Sequence, residues 1–162
     1  MSNSIHYDID YRSESFEEQV LEEGPNPLLD LRIVIGDEEI KGAAENESHL
    51  DDYMGMHIVK LLDSIPKIQN GNTVEFRFYS HPQTLLLDPN GEQLSLACVS
   101  PSKVGGLTDE DMYEVPREAF VQEVLRVAEE FVEKVVNVDK ELSNNDTIRD
   151  VKQRVAKIRE NS

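Results

Sequence analysis

The side chains with the widest chemical range in this sequence are its four histidines and its single cysteine. His49 and His57 lie eight residues apart around Asp51 and Asp52, so they could meet near one helix face as metal ligands. A zinc site uses His or Cys ligands at recognisable spacings, however, and His49 precedes the start of the predicted helix. We therefore interpret both histidines as surface or partly buried polar residues and expect neither a metal nor another cofactor.

The remaining candidates for chemistry are also better explained by structure. His81 precedes Pro82 between two predicted strands, where it could act as a general base but is more simply a turn residue. Cys98 lies in an apolar run and is predicted to be a buried core residue rather than a reactive thiol. The segment Asp88-Pro89-Asn90-Gly91-Glu92 resembles only the start of a calcium loop and predicts a hairpin turn. The sequence contains no nucleophile elbow, Walker loop or dinucleotide-binding motif, so no catalytic residue is assigned.

Carboxylates are the most abundant functional groups in the chain. The 162 residues carry 33 acidic and 16 basic side chains, a formal net charge of -17. Acidic charge at this density repels nucleic acid and anionic membranes, and it speeds the encounter with a basic partner. Solvated surface and halophilic adaptation are the alternative explanations. If the acidity serves binding, the candidate partner-binding residues form four clusters: Glu14, Glu17 and Glu18; Asp37, Glu38 and Glu39; Asp51 and Asp52; and Asp109, Glu110 and Asp111.

Charge is segregated along the chain. Residues 1–146 carry 31 acidic and 11 basic side chains, whereas residues 147–162 carry two acidic and five basic ones. We expect a single domain over residues 1–142 and a separate amphipathic helix over residues 143–162. No apolar stretch approaches the roughly 18 residues that span a bilayer, and the N-terminus lacks the features of a signal peptide, which predicts a cytoplasmic protein.

Hydropathy patterns predict the elements that would position these groups. Ser48 with Asp51 resembles a capping box, and apolar residues then recur at helical spacing from Leu50 to Ile65, until Pro66 and Asn70-Gly71 stop the pattern. Pro116 opens a second long helix, and residues 13–27 are expected to form an exposed connection with at most one helical turn. A parallel sheet needs a crossover connection between each pair of strands, and two long helices are too few to supply them. We therefore predict an α+β fold with a mainly antiparallel sheet. The strands are expected near residues 5–11, 29–35, 39–43, 74–79, 85–87 and 94–98, and a short extended piece at residues 113–115 could add one more.

The C-terminal segment carries a narrow apolar stripe among basic side chains. An isolated helix of this length is marginal in water, so it must gain stability by packing. We expect it either to dock on its own acidic domain or to pair with the same helix of a second copy, forming a homodimer. The stripe consists of Ile148, Val151, Val155 and Ile158.

Three segments, Phe76–Tyr79, Leu94–Leu96 and Val115–Val124, give the chain a resemblance to a group of known proteins. In them, two strands are followed by a Val-Pro pair that opens a long helix. This arrangement resembles the small immunity proteins of bacterial polymorphic toxin and contact-dependent inhibition systems, over residues 73–136. The resemblance implies a cytoplasmic protein that neutralises a toxin by occlusion, and it transfers no binding residue because such families vary at their interfaces.

Charge, the missing catalytic motifs and the resemblance together favour a non-enzymatic inhibitor that docks an acidic face on a basic protein, such as a nuclease toxin. One alternative is an acidic nucleic-acid mimic that blocks a defence or restriction protein. The other is a small enzyme that uses histidine and carboxylate groups.

Overall fold

The computed structural model describes residues 4–40, 50–80, 82–99 and 112–161, and these form two antiparallel four-stranded sheets and four α-helices. The predicted α+β class is confirmed, with the strands divided between two sheets rather than gathered in one. The strands are β1 (Ile5–Ile9), β2 (Leu28–Ile35), β3 (Glu38–Glu39), β4 (Leu50–Tyr53), β5 (Val74–Arg77), β6 (Thr84–Asn90), β7 (Gln93–Val99) and β8 (Tyr113–Pro116). The helices are α1 (Glu14–Glu23), α2 (Met54–Gln69), α3 (Arg117–Val138) and α4 (Asp146–Glu160), and a 3₁₀ helix (Lys140–Asn144) precedes α4.

The first sheet is organised around β2. Strand β1 pairs with one edge of β2, with Ile5 opposite Ile35, while β3 and β4 share the other edge, where Leu31 lies opposite Leu50. Buried and exposed residues alternate along β1 and β2, because successive side chains of a strand point to opposite faces. One face of this sheet therefore belongs to the core, and the other carries exposed and half-exposed side chains.

The second sheet is a meander in the order β5-β6-β7-β8. The predicted hairpin is confirmed: Asn90 pairs with Gln93, and Gly91 takes a φ of 63° in the turn between them. A positive φ of this size favours glycine, which has no Cβ to clash with the backbone.

Helices α2 and α3 join the two sheets. Helix α2 contacts β4 of the first sheet and β5 and β6 of the second, and α3 contacts β1 on one side and β7 and β8 on the other. Of the two expected stops of the first long helix, Asn70-Gly71 is confirmed, since α2 continues past Pro66 to Gln69 and Asn70 is its C-cap residue. Pro66 lies in the last turn, where its missing N–H removes one hydrogen bond, and its own carbonyl accepts from Asn70 N at 3.1 Å.

Two further expectations are corrected in the first sheet. Residues 13–27 contain a full helix, α1, which Ser13 caps by accepting from Ser15 N and which buries Phe16 and Val20. Residues Leu50–Tyr53 form strand β4 rather than the first turn of a helix, because they pair with β2. Ser48, the other half of the expected capping box, lies outside the described residues.

Side chains of α3 protect the outer edge of β1. Tyr7 N donates to Glu123 Oε2 at 2.7 Å, and Arg126 Nη2 donates to Tyr7 O at 2.9 Å. Arg126 is itself paired with Glu123 through Nε at 2.7 Å, and this hydrogen bond raises the pKa of the guanidinium. An edge strand with unpaired backbone groups is a template for pairing with another chain, and at Tyr7 side chains of α3 occupy that template.

The C-terminal helix docks on its own chain. Helix α4 packs against α2 and α3, and its apolar stripe of Ile148, Val151, Val155 and Ile158 is buried there. Arg154 Nε donates to Asp63 Oδ1 of α2 at 2.7 Å, at the rim of this contact. Of the two expected alternatives for the stripe, the structure therefore supports docking on the same chain rather than pairing with a second copy. None of the helices in the described part of the chain is both long and apolar enough to cross a membrane.

We predict that Ile148→Ala lowers the free energy of unfolding by about 2–5 kcal/mol, because the side chain is fully buried and its removal leaves a cavity. Gln153→Ala, on the exposed side of the same helix, is the matched control and should change stability by less than about 0.5 kcal/mol. Urea denaturation measures both. Equal stabilities for the two variants would show that α4 is not docked in solution.

Candidate partner-binding face

Three carboxylates lie in one row across the exposed face of the first sheet. Asp10 N donates to Asp30 O at 2.9 Å, which extends the register of β1 and β2 by one pair, and Asp30 lies opposite Asp51 of β4. Neighbouring strands are about 4.8 Å apart, so this acidic row crosses three chain segments over about 10 Å. Asp30 is exposed, and Asp10 and Asp51 are half-exposed.

The acidic row is electrostatically unfavourable for the sheet, because like charges directly opposite each other on paired strands are destabilising. Neighbouring groups reduce this repulsion. Arg12 donates to Asp10 Oδ1 through its backbone N at 3.0 Å and through Nε at 3.4 Å, and Ser80 Oγ donates to Asp51 Oδ1 at 2.7 Å. A cationic side chain placed over the row would reduce the repulsion further.

A groove of about 230 Å³ lies on the same face. Pockets for drug-sized ligands usually measure about 300–1,000 Å³, so this groove suits a single side chain of a partner better than a small-molecule substrate. Asp8 lies opposite Arg32 in the register, and Arg32 Nε is 3.3 Å from Glu39 Oε1. Four carboxylates and two guanidinium groups line the groove: Asp8, Asp10, Asp30, Glu39, Arg12 and Arg32.

The structure brings two of the predicted binding residues, Glu39 and Asp51, to this face. Asp37 and Glu38 are exposed at the turn and the short strand that follow β2. The predicted residues Asp109, Glu110 and Asp111 lie outside the described residues. The cluster on α1 is exposed and belongs to the helix rather than to the sheet face; its members are Glu14, Glu17 and Glu18.

The prediction that Asp52 binds a partner is wrong, because the exposed fraction of this residue is 0%. Asp51 and Asp52 are neighbours in a strand, so their side chains point to opposite faces, and Asp52 points into the core. Its Oδ1 accepts from the backbone N–H groups of Tyr53 (2.9 Å), Tyr79 (2.9 Å) and Ser80 (3.0 Å).

The second oxygen of Asp52 binds a buried histidine. His57 Nδ1 lies 2.7 Å from Asp52 Oδ2, and His57 Nε2 is hydrogen-bonded to the hydroxyl of Tyr7. Burial, together with the negative charge of Asp52, raises the pKa of Tyr7 well above its usual value of 10.0. The phenol therefore stays protonated and donates a hydrogen bond to His57 Nε2. Nδ1 then carries the imidazole proton and donates to the carboxylate. We call Asp52, His57 and Tyr7 the buried triad.

The buried triad is enclosed by aromatic rings. The centroid of the His57 ring is 4.7 Å from that of Phe76 and 5.3 Å from that of Phe78, and the exposed fraction of His57 is 0%. Both ring nitrogens are occupied and a reactant cannot reach them in this conformation. The enzyme alternative therefore loses His57 as an accessible base; the other histidines proposed for it or for zinc, His49 and His81, lie outside the described residues.

The prediction that Cys98 is a buried core residue is confirmed. Its Sγ donates to Gln83 Oε1 at 3.2 Å. Burial raises the pKa of the thiol to about 12, so at neutral pH it stays protonated and unreactive. In the part of the chain that the structure describes, no group of three or more His, Cys, Asp or Glu side chains is placed to hold a metal ion.

The sequence interpretation did not select Asp8, Asp10 or Asp30, although they dominate the face. The alternation in β1 already placed Asp8 and Asp10 on the side opposite the buried residues. Asp30 joins them only through the pairing of β2 with β1 and β4, and β4 was assigned to a helix. A search for acidic residues that alternate with apolar ones, rather than for runs of acidic residues, would have found all three.

Comparison of the chain with protein-family models, with curated proteins and with solved structures finds no match. Function must therefore be inferred from the face itself, and the resemblance to immunity proteins stays a prediction.

We predict that Asp52→Ala lowers the free energy of unfolding by at least about 3 kcal/mol, because it leaves three backbone N–H groups and His57 without their acceptor. The adjacent Asp51→Ala is the matched control, with an expected loss of at most about 1.5 kcal/mol. Chemical denaturation followed by circular dichroism measures both. If the two losses are the same, the buried triad does not stabilise the fold.

Stability should fall in alkali. The unfolded thiol of Cys98 loses its proton near pH 9.0 while the folded one keeps it to about pH 12, so the free energy of unfolding decreases as the pH rises through this interval. Tyr7 and Tyr11, whose pKa values are also raised by burial, act in the same direction above pH 10.0. Cys98→Ala should make the decrease between about pH 8 and pH 10 shallower. Urea denaturation of both proteins at several pH values measures this. If the free energy of unfolding of both proteins falls equally steeply with pH, the prediction is contradicted.

Proposed function

We propose that this protein is a non-enzymatic inhibitor that binds a basic protein, in particular a nuclease toxin, and covers the positively charged cleft of that protein. The observation that carries the proposal is the acidic row of Asp10, Asp30 and Asp51 on the face of the first sheet that points away from the core. A nuclease cleft is lined by Lys and Arg because it binds phosphates, and closely spaced carboxylates are the complementary surface.

Charge acts at two ranges in this proposal. The net charge of -17 attracts a basic protein over a distance and raises the association rate, an effect that salt screens. At contact, the groove beside the acidic row offers a place for one Lys or Arg side chain. The resemblance to immunity proteins in the sequence agrees with this role, and a nuclease is neutralised where it meets nucleic acid, so we expect the protein in the cytoplasm.

The edge of the first sheet formed by β1 and the start of β2 bears on the mode of binding. Glu123 and Arg126 occupy the outer backbone groups of β1 at Tyr7. The carboxamide of Gln19 does the same for β2 beyond the end of β1, since it donates to Leu28 O at 3.2 Å and accepts from Leu28 N at 2.8 Å. Strand addition at Tyr7 and Leu28 is therefore blocked, which favours docking through side chains of the face.

The test uses basic proteins encoded next to this protein in its genome, each measured for binding by surface plasmon resonance over a range of salt concentrations. For a true partner, association should slow as salt increases, and binding should abolish the activity of the partner on nucleic acid. The variant that neutralises the acidic row should weaken the affinity about tenfold or more, mainly through faster dissociation, because it removes the contact pairs. It carries Asp10→Asn, Asp30→Asn and Asp51→Asn.

The matched control neutralises the predicted cluster on α1 with Glu14→Gln, Glu17→Gln and Glu18→Gln. Both variants change the net charge by the same amount, so they weaken the long-range attraction similarly and differ only at contact. Equal effects of the two variants would show that binding uses no localised face. Absence of any salt-dependent partner would refute the proposal, and competition between duplex DNA and this protein for a defence or restriction protein would select the nucleic-acid mimic instead.

A further inference from the structure

We propose that three exposed apolar residues beside the acidic row form the anchor of the interface, and that the partner is a basic protein which presents an aromatic or long aliphatic side chain flanked by Lys or Arg. These residues, Leu28, Tyr53 and Met56, are named the apolar edge. This inference rests on the proposed function, because it specifies the partner of the same face.

The apolar edge is continuous with the acidic row. Leu28 of β2 lies opposite Tyr53 of β4, two residues along from the pair of Asp30 and Asp51, so both pairs project from the same face. The exposed fractions of Leu28 and Tyr53 are 38% and 39%. Met56, with an exposed fraction of 43%, is the third residue of α2 after the N-cap residue Tyr53, and an N-cap residue and the third helical residue lie at the same end of the first turn.

The backbone beneath the apolar edge is held by specific contacts. Met54 N donates to Pro27 O at 2.9 Å, and Met56 N donates to Asn26 Oδ1 at 3.0 Å. The side chain of Tyr53, the N-cap residue, makes no capping hydrogen bond, so Asn26 caps α2 in its place. At Gly55 the helix approaches the carbonyl oxygen of Pro25 so closely that any side chain would clash with it. A rigid surface loses little conformational entropy on binding, so these contacts favour affinity.

The chemistry of the edge fits a protein partner with a positive charge. Tyr and Met are enriched at the centres of protein interfaces, where a few apolar anchors carry most of the binding energy and charged groups around them set orientation. A second copy of this chain does not fit. Pairing of the face with itself about a two-fold axis would bring one acidic row close to the other. A partner with Lys or Arg around an apolar side chain would meet both parts of the surface with complementary groups.

Two synthetic peptides test this directly: Lys-Lys-Lys-Trp-Lys-Lys-Lys and the same peptide with Ala in place of Trp. The protein contains no tryptophan, so peptide fluorescence reports the environment of the anchor without background. We expect the Trp peptide to bind about tenfold more tightly than the Ala peptide at equal salt, with a blue shift of its emission. Isothermal titration calorimetry supplies both affinities.

Two variants separate the anchor from the charge. Substitution of the apolar edge, Leu28→Ser with Tyr53→Ser and Met56→Ser, should abolish the preference for Trp and the blue shift, while the Ala peptide binds as before. Leu21→Ser, which removes another exposed apolar side chain, on α1, should change neither peptide. The acidic-row variant should weaken both peptides by a similar factor.

The outcomes distinguish the two proposals. If the unmodified protein binds both peptides equally and the acidic-row variant weakens both, the apolar anchor is refuted and the acidic docking face stands. If neither peptide binds, or the acidic-row variant has no effect, the docking face fails as well. If sedimentation shows a dimer that the edge substitutions dissociate, the occupant is a second copy and the inference is overturned. Circular dichroism confirms that each variant is folded.

Discussion

The buried carboxylate of Asp52 connects parts of the chain that would otherwise be independent. It belongs to β4 of the first sheet, it accepts hydrogen bonds from the backbone after β5 of the second, and through His57 of α2 it reaches Tyr7 of β1. A charged group removed from water is costly unless every donor around it is in place. The carboxylate therefore stabilises only the arrangement in which both sheets and α2 meet correctly, and it penalises other arrangements of the same apolar surfaces.

The same residue determines which side chains reach the surface. Because Asp52 points inward, its neighbours Asp51 and Tyr53 point outward, one toward the acidic row and the other toward the apolar edge. A shift of β4 by one residue would exchange the two faces, burying Asp51 and exposing Asp52. The core network thus sets the register of the proposed binding surface, although none of its own atoms need touch a partner.

Local patterns in the sequence predicted β1, the β6–β7 hairpin, α3 and α4, because each shows its period within its own residues. Helix α1 was missed because only Phe16 and Val20 are buried in a segment otherwise rich in Glu. Strand β4 was assigned to a helix because Leu50 also fits the apolar spacing of α2, and only pairing with distant residues of β2 reveals it as a strand. The acidic row combines three separate segments, so runs of charge in the sequence could not predict it.

The docking of α4 has a consequence for the behaviour of the molecule when that helix opens locally. Detachment of α4 exposes the apolar surface that α2 and α3 present to it, and it exposes the stripe of α4 as well. Apolar surface exposed in this way associates with other chains. Resistance of the protein to aggregation therefore depends on the stability of this one helical contact.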